Sequence, residues 1–298
     1  QRQMCIRDRD EQRGVVQNEK RQGENQPYGQ LREVIARTMY PVGHPYHHTT
    51  IGSMNDLNAA SLDDVKTWFK TWYGPNNTVL VLAGDIDLAT AKEKAAKYFG
   101  DIPATPTMAQ PKVDVAVLKQ SGRTELEDKV PQVMVRRMWN VPQFGTRDAD
   151  LLDLVSDVLG GSASSRLDAR LTHQDKLVDN IGTANYGSQL GGNFYVNALV
   201  KKGVDPAKVE AVIDEELQRL IKQGPTPEEL ARAKTNYRAG FIRGIERIGG
   251  FGGKADALAS CATFTGDPGC FRESLANIEG ASVADVRAAA AKWLGNPS

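Results

Sequence analysis

The sequence predicts an α+β fold rather than a doubly wound parallel sheet. Three observations carry that expectation. Pairs of strand-like segments are mixed with blocks of helix instead of alternating with single helices. The order of elements partly repeats on either side of a stretch with three prolines, Pro103, Pro106 and Pro111. The length of 298 residues suits two domains, each able to bury a core.

Taken in order, residues 10–24 read as a helix carrying Val15 and Val16, stopped by the turn Asn25-Gln-Pro-Tyr-Gly29. Leu31, Val34, Ile35 and Met39 fall on one face of a second helix. A loop rich in Gly, Pro and His runs to Ser53. Ser61-Leu-Asp-Asp64 is a capping-box start, and the helix behind it aligns Leu62, Val65, Phe69 and Trp72. The apolar run Thr78–Ala83 has the length of a buried strand and is far too short to span a bilayer. A helix ending at Tyr98-Phe99 follows. Beyond the linker, strands are expected at 123–128 and 131–139, helices at 146–159 and 164–172, and strands at 177–187 and 193–200. Long helices at 205–222 and 227–247 come next, then shorter ones at 250–264 and 282–294.

Composition narrows the function classes. Hydrophobic residues make up 40% and charged residues 25% of the chain, the proportions of a globular protein. Lys+Arg and Asp+Glu both number 37, so no electrostatic argument points to nucleic acid or an anionic membrane as partner. The opening QRQMCIRDR has neither an apolar signal core nor helical periodicity, and has the form of a translated sequencing adaptor. Residues 1–9 are therefore expected to be foreign to the protein, with the true sequence continuing upstream. Cys5 lies in that stretch. Cys261 and Cys270, nine residues apart, suit a disulfide in an exported protein, or equally two separate buried thiols.

Two glycine motifs fail as sites. Gly249-Gly-Phe-Gly-Gly-Lys254 lacks the first glycine and the final Ser/Thr of a phosphate loop, and follows a helix instead of a strand. Gly160-Gly-Ser-Ala-Ser164 lacks the last glycine of a nucleophile elbow and joins two helices. Both read more simply as tight turns of small residues. His44-Pro-Tyr-His-His48 mimics the spacing of an inverted zinc motif. Pro45 directly after His44 opposes a helix there, and no glutamate stands where a base would be needed. These histidines are expected to pack and hydrogen-bond. Glu19 is the stronger candidate. Gln12, Val15/Val16 and Glu19 share one helical stripe, and the apolar neighbours suggest partial burial of the Glu19 carboxylate.

The runs RGVVQNEKRQ…ENQPYG, HPYHHTTIGSMNDLNAASLDDVKTWFKTWYGPNNTVLVLAGDID and KYFGDIP resemble the pitrilysin/insulinase family of zinc metallopeptidases. So do PQVMVRRMWNVP, VLGGSASSRLDARL and GPTPEELARAK. The resemblance runs from about residue 11 to the end and is most specific in YGPNNTVLVLAGDID. It implies two related domains, each a mainly antiparallel sheet packed with helices as in mitochondrial processing peptidase, the first incomplete. Residues 10–104 would be the C-terminal part of the zinc-site domain, 105–112 a linker, and 113–298 a second, non-catalytic domain.

The family holds one zinc ion through H-x-x-E-H and a further glutamate on a later helix. The matching glutamate is Glu19, in V-V-x-N-E. The two histidines and the catalytic base would lie upstream of residue 1, so the fragment alone is expected to be inactive. Where relatives often have an acid seven positions before the ligand, this chain has Gln12; Glu11, one step round the helix, is the alternative second-shell carboxylate. The resemblance further implies hydrolysis of unfolded peptides by zinc-activated water. It also implies a second half of the chain, or a partner subunit, that closes a chamber. An exported, periplasmic location is the expectation for a bacterial relative of this kind. The competing reading is a non-catalytic partner subunit of the same family, which retention of Glu19 argues against.

Overall fold

The computed structural model describes residues 2–106, 109 and 111–298, with side chains from residue 9 onward; the Cys5 side chain falls outside the described residues. The chain divides into two compact units, residues 1–80, 85–111 and 126–130 in the first, and 81–84, 112–125 and 131–298 in the second.

The first unit is helical. It holds α1 (Arg2–Glu24), α2 (Leu31–Met39), α3 (Met54–Ala59), α4 (Leu62–Trp72) and α5 (Leu88–Phe99). α1 begins inside the stretch expected to lack helix, because unbranched Arg, Gln and Met extend an existing helix without needing an apolar stripe. The capping box of α4 forms as expected. Ser61 Oγ accepts from Asp64 N at 3.1 Å, and the Asp64 carboxylate accepts from Ser61 N at 2.8 Å.

The expected strand at 78–83 does not form; these residues are irregular. A strand needs a neighbour to take its N–H and C=O groups, and among the described residues nothing pairs with this run. The helices beside it in sequence show the same deficit. α4 and α5 bury none of their residues, and Trp68, Leu88 and Tyr98 are 58%, 70% and 60% exposed. Amphipathic helices normally bury that face against a sheet or another helix.

The second unit has a complete core. β1 (Met134–Val141), β2 (Val178–Ser188) and β3 (Gly191–Val200) form an antiparallel sheet in the order β1-β3-β2. β3 alternates strictly, with Phe194, Val196, Ala198 and Val200 buried on one face. α6 (Arg147–Gly160) lies against that face, with Leu151, Leu152, Leu154, Val155, Val158 and Leu159 in the same cluster. α7 (Pro206–Gln223), α8 (Pro227–Ile245), α9 (Lys254–Thr265), α10 (Phe271–Gly280) and α11 (Val283–Leu294) complete the unit. The strand expected at 123–128 is absent. Residues 112–125 form an irregular segment, whose Ala116 O accepts from Asn140 Nδ2 at 2.6 Å. The helix expected at 164–172 is a π-helical segment, Asp168–Gln174.

Gly224 ends α7 at φ 77°, a backbone conformation that a side chain would strain, and its N–H bonds Leu220 O. The structure also closes Cys261 and Cys270 into a disulfide across the turn between α9 and α10. With nine residues of separation, chain-entropy arithmetic gives it about 2–3 kcal/mol. Reductant is therefore expected to lower the denaturant midpoint of the chain, and to have no effect on a Cys261→Ser, Cys270→Ser variant.

Candidate metal centre

α1 presents two stripes with different jobs. Along one, Arg13 donates to Ala60 O at 2.6 Å, Gln17 Nε2 to Asn58 Oδ1 at 2.7 Å, and Lys20 pairs with Glu24 at 3.0 Å and Glu33 at 3.8 Å. These bonds fix the rotation of the helix. They turn the other stripe, Gln12, Val15 and Glu19, outward. Glu19 is exposed and, among the described residues, its carboxylate has no hydrogen-bond or ion-pair partner. The partial burial expected for it is not seen, because nothing covers Val15, which is 55% exposed. Gln12 and Glu11 are also exposed, Gln12 on the stripe of Glu19 and Glu11 about 100° further round from Gln12.

One carboxylate cannot make a tetrahedral zinc site. Among the described residues, no group of three or more His, Cys, Asp or Glu side chains is arranged to hold a metal. The described residues by themselves do not make a zinc site. What α1 presents at this position is a single exposed carboxylate, that of Glu19.

The histidines of His44–His48 have other occupations. His44 is buried, stacks on Tyr40 at 4.8 Å between ring centroids and meets Tyr46 edge-on at 5.3 Å. Its Nδ1 accepts from Tyr46 N at 3.0 Å, and burial holds its pKa below the ordinary histidine value, favouring the neutral ring. His47 Nδ1 donates to Tyr40 O at 2.7 Å, and His48 is exposed. Gly160–Ser164 is the turn after α6, where Ser162 and Ser164 hydroxyls pair with each other at 3.2 Å. His173 pairs instead with Asp168 at 3.2 Å. Gly249–Gly253 leads into α9.

The sequence reading passed over a second polar site. In the second unit a cavity of about 460 Å³ lies between α6 and α8, lined among others by Asp153, Ser156, Asp157, Asn236 and Tyr237. Two signals for it are visible in the chain. Asp153-x-x-Ser-Asp157 has the spacing of H-x-x-E-H, and Asn18-Glu19-Lys20 of α1 returns in α8 as Asn236-Tyr237-Arg238. In α6, aspartate, serine and aspartate stand where H-x-x-E-H has histidine, glutamate and histidine.

Comparisons with known proteins place the chain in a family. The family described as the peptidase M16 inactive domain matches residues 59–237. Zinc protease PqqE of Helicobacter pylori is 31% identical over 245 residues, covering 79% of this chain and 54% of that protein. An uncharacterized zinc protease of Streptomyces coelicolor is 25% identical over 304 residues, covering 97% of this chain and 63% of that protein. The crystal structure of a protease from Helicobacter pylori superposes with a TM-score of 0.82 at 26% identity, covering 95% of this chain and 68% of that one. The chain thus spans little more than half the length of the first of these relatives and about two thirds of the last.

Proposed function

Since the chain belongs to the M16 peptidase family and carries its inactive domain, we propose that it is part of a longer zinc metalloendopeptidase, to which it supplies one zinc ligand, Glu19. The observation that carries this reading is the state of α1. Its Arg13, Gln17 and Lys20 stripe is tied down, while the Glu19 carboxylate is left outward and without a partner among the described residues. A glutamate held in that way has no evident structural job. The names of the relatives point the same way, since two of them are zinc proteases.

In this reading Glu19 would hold the metal together with two histidines from an H-x-x-E-H helix outside the chain. Zinc, when bound, supplies a water acidic enough to act near neutral pH. The contribution of the present residues is to orient one anionic oxygen and to leave it accessible. Peptide substrates, and a second half or partner subunit closing a chamber over them, are part of the same proposal. The exposed faces of α4 and α5 and the unpaired run at 78–83 support it, because they are surfaces that a completed sheet would cover. The disulfide supports an exported location.

A second reading rests on Gln12. If the acid often found seven positions before the ligand matters to zinc binding, its replacement by an amide favours a non-catalytic partner subunit. The test is hydrolysis of an unfolded peptide by the longer protein with and without a chelator. Chelator-sensitive cleavage supports the peptidase. No cleavage by a folded, zinc-supplied protein supports the partner subunit.

A further inference from the structure

The α6–β2–α8 seam of the second unit contains an acceptor without a donor. Asn185 on β2 donates through Nδ2 to Ala149 O at 3.0 Å and to Asp153 Oδ1 at 2.9 Å. Both neighbours of that nitrogen are acceptors, which fixes the orientation of the amide. Its Oδ1 is fully buried and has no hydrogen-bond partner. A buried carbonyl oxygen without a donor is destabilising, because it has given up water and gained nothing in return. The group already bonded to the other end of the same amide is a carboxyl, and a carboxyl becomes a donor when it holds a proton.

We propose that the Asp153 carboxyl carries a proton in the folded protein and gives it in a hydrogen bond to Asn185 Oδ1, closing a two-bond acid–amide clasp between α6 and β2 that opens when the proton leaves. The clasp forms part of the wall of the cavity shared with α8. Once ionised, Asp153 has no reason to face the amide oxygen and every reason to seek the water of the cavity. The seam against α8 then loosens.

The surroundings of Asp153 suit this role. On its own helix stand Asp150 and Asp157, both carboxylates whose pKa burial pushes up. Asp157 is held by Asn236 Nδ2 of α8 at 3.2 Å and feels Arg232. Asp150 accepts from Asn277 of α10 at 2.8 Å, with Glu273 nearby. From α8, Tyr237 is driven further from ionisation by burial and by the charges of Asp153 and Asp150, and Arg243 also lines the cavity. β2 offers the neutral Asn185. Burial first, and the charge of Asp150 after it, outweigh the Asn185 hydrogen bond and raise the Asp153 pKa to about 7.

The sign follows from linkage. Folded Asp153 keeps a proton that the unfolded chain releases in the ordinary carboxylate range. Its contribution is therefore fully present at acid pH and lost as pH rises through about 7. The test compares the 298-residue chain with its Asp153→Asn variant by denaturant unfolding from pH 5 to pH 8.5. Asparagine keeps both bonds, since its own amide donates to Asn185 Oδ1. The ratio of the two unfolding constants should grow by about tenfold per pH unit up to neutrality and then level off. Parallel pH profiles would overturn the proposal. A carbon-13 NMR titration of the Asp153 carboxyl in the unmodified chain decides the matter even if the variant folds poorly. A midpoint near neutrality supports the clasp, and one in the ordinary carboxylate range excludes it.

Discussion

With Glu19 as the proposed zinc ligand, Glu19→Gln in the longer protein should abolish stoichiometric zinc and reduce peptide hydrolysis by more than about 100-fold. That figure is the upper end of the loss seen when only a partner of a metal ligand is removed, and a ligand itself should cost at least as much. Glutamine is the same size and keeps one neutral oxygen, so the substitution removes the charge and little else. The contrast with stability makes the result specific. Glu19 is exposed, and among the described residues it has no hydrogen-bond or ion-pair partner, so in the present chain the same change should move folding stability by no more than about 0.5 kcal/mol. A structural glutamate would show the reverse pattern, with stability lost and zinc retained.

Arg166→Met should destabilise the second unit by about 3–5 kcal/mol, the range for breaking a buried ion pair from one side. The Arg166 side chain is 6% exposed. Its Nε donates to Glu229 Oε1 at 2.8 Å, and one terminal nitrogen donates both to Glu229 Oε2 at 2.6 Å and to Gly224 O at 3.0 Å. The fork joins the turn after α6 to the turn between α7 and α8. Glu229 has a second duty, since it accepts from Thr226 N at 2.8 Å in the capping box of α8. Burial pushes its pKa up, but the bonds from Arg166 and Thr226 prevail and hold it below the ordinary glutamate value. The pair therefore contributes above that ordinary value and its contribution disappears as pH falls through the depressed one. Arg166→Lys should recover only part of the loss, because an ammonium cannot fork. An unfolding free energy lowered by less than about 1 kcal/mol would show the pair to be dispensable.

What was legible in the sequence differs between the two units for a physical reason. β3 could be read from its alternation, and α8 from Gly-Pro-Thr-Pro-Glu-Glu, because in the second unit each pattern finds the partner it presupposes. The α+β class follows from those elements. The run at 78–83 has an equally strong strand pattern, yet a ladder is a property of two strands, and among the described residues no strand pairs with this run. The same gap explains Glu19. Its stripe suggested partial burial, but a stripe says which residues face one way and not what lies opposite. His44–His48 was readable as packing because Pro45 breaks the helix a chelating pair would need. Asp153 was readable and was passed over. Asp150, Asp153 and Asp157 recur along a helix rich in Leu and Val, and a carboxylate buried among such residues needs a partner.

The central claim is that this chain supplies one ligand of a zinc site and the inactive domain of a peptidase. The metal content of the purified longer protein, set against that of the present chain, tests it most directly. The account predicts one zinc per longer chain and no stoichiometric zinc in the fragment. A longer protein that folds, receives zinc and retains none would contradict it and leave Glu19 as a surface carboxylate of a non-catalytic partner.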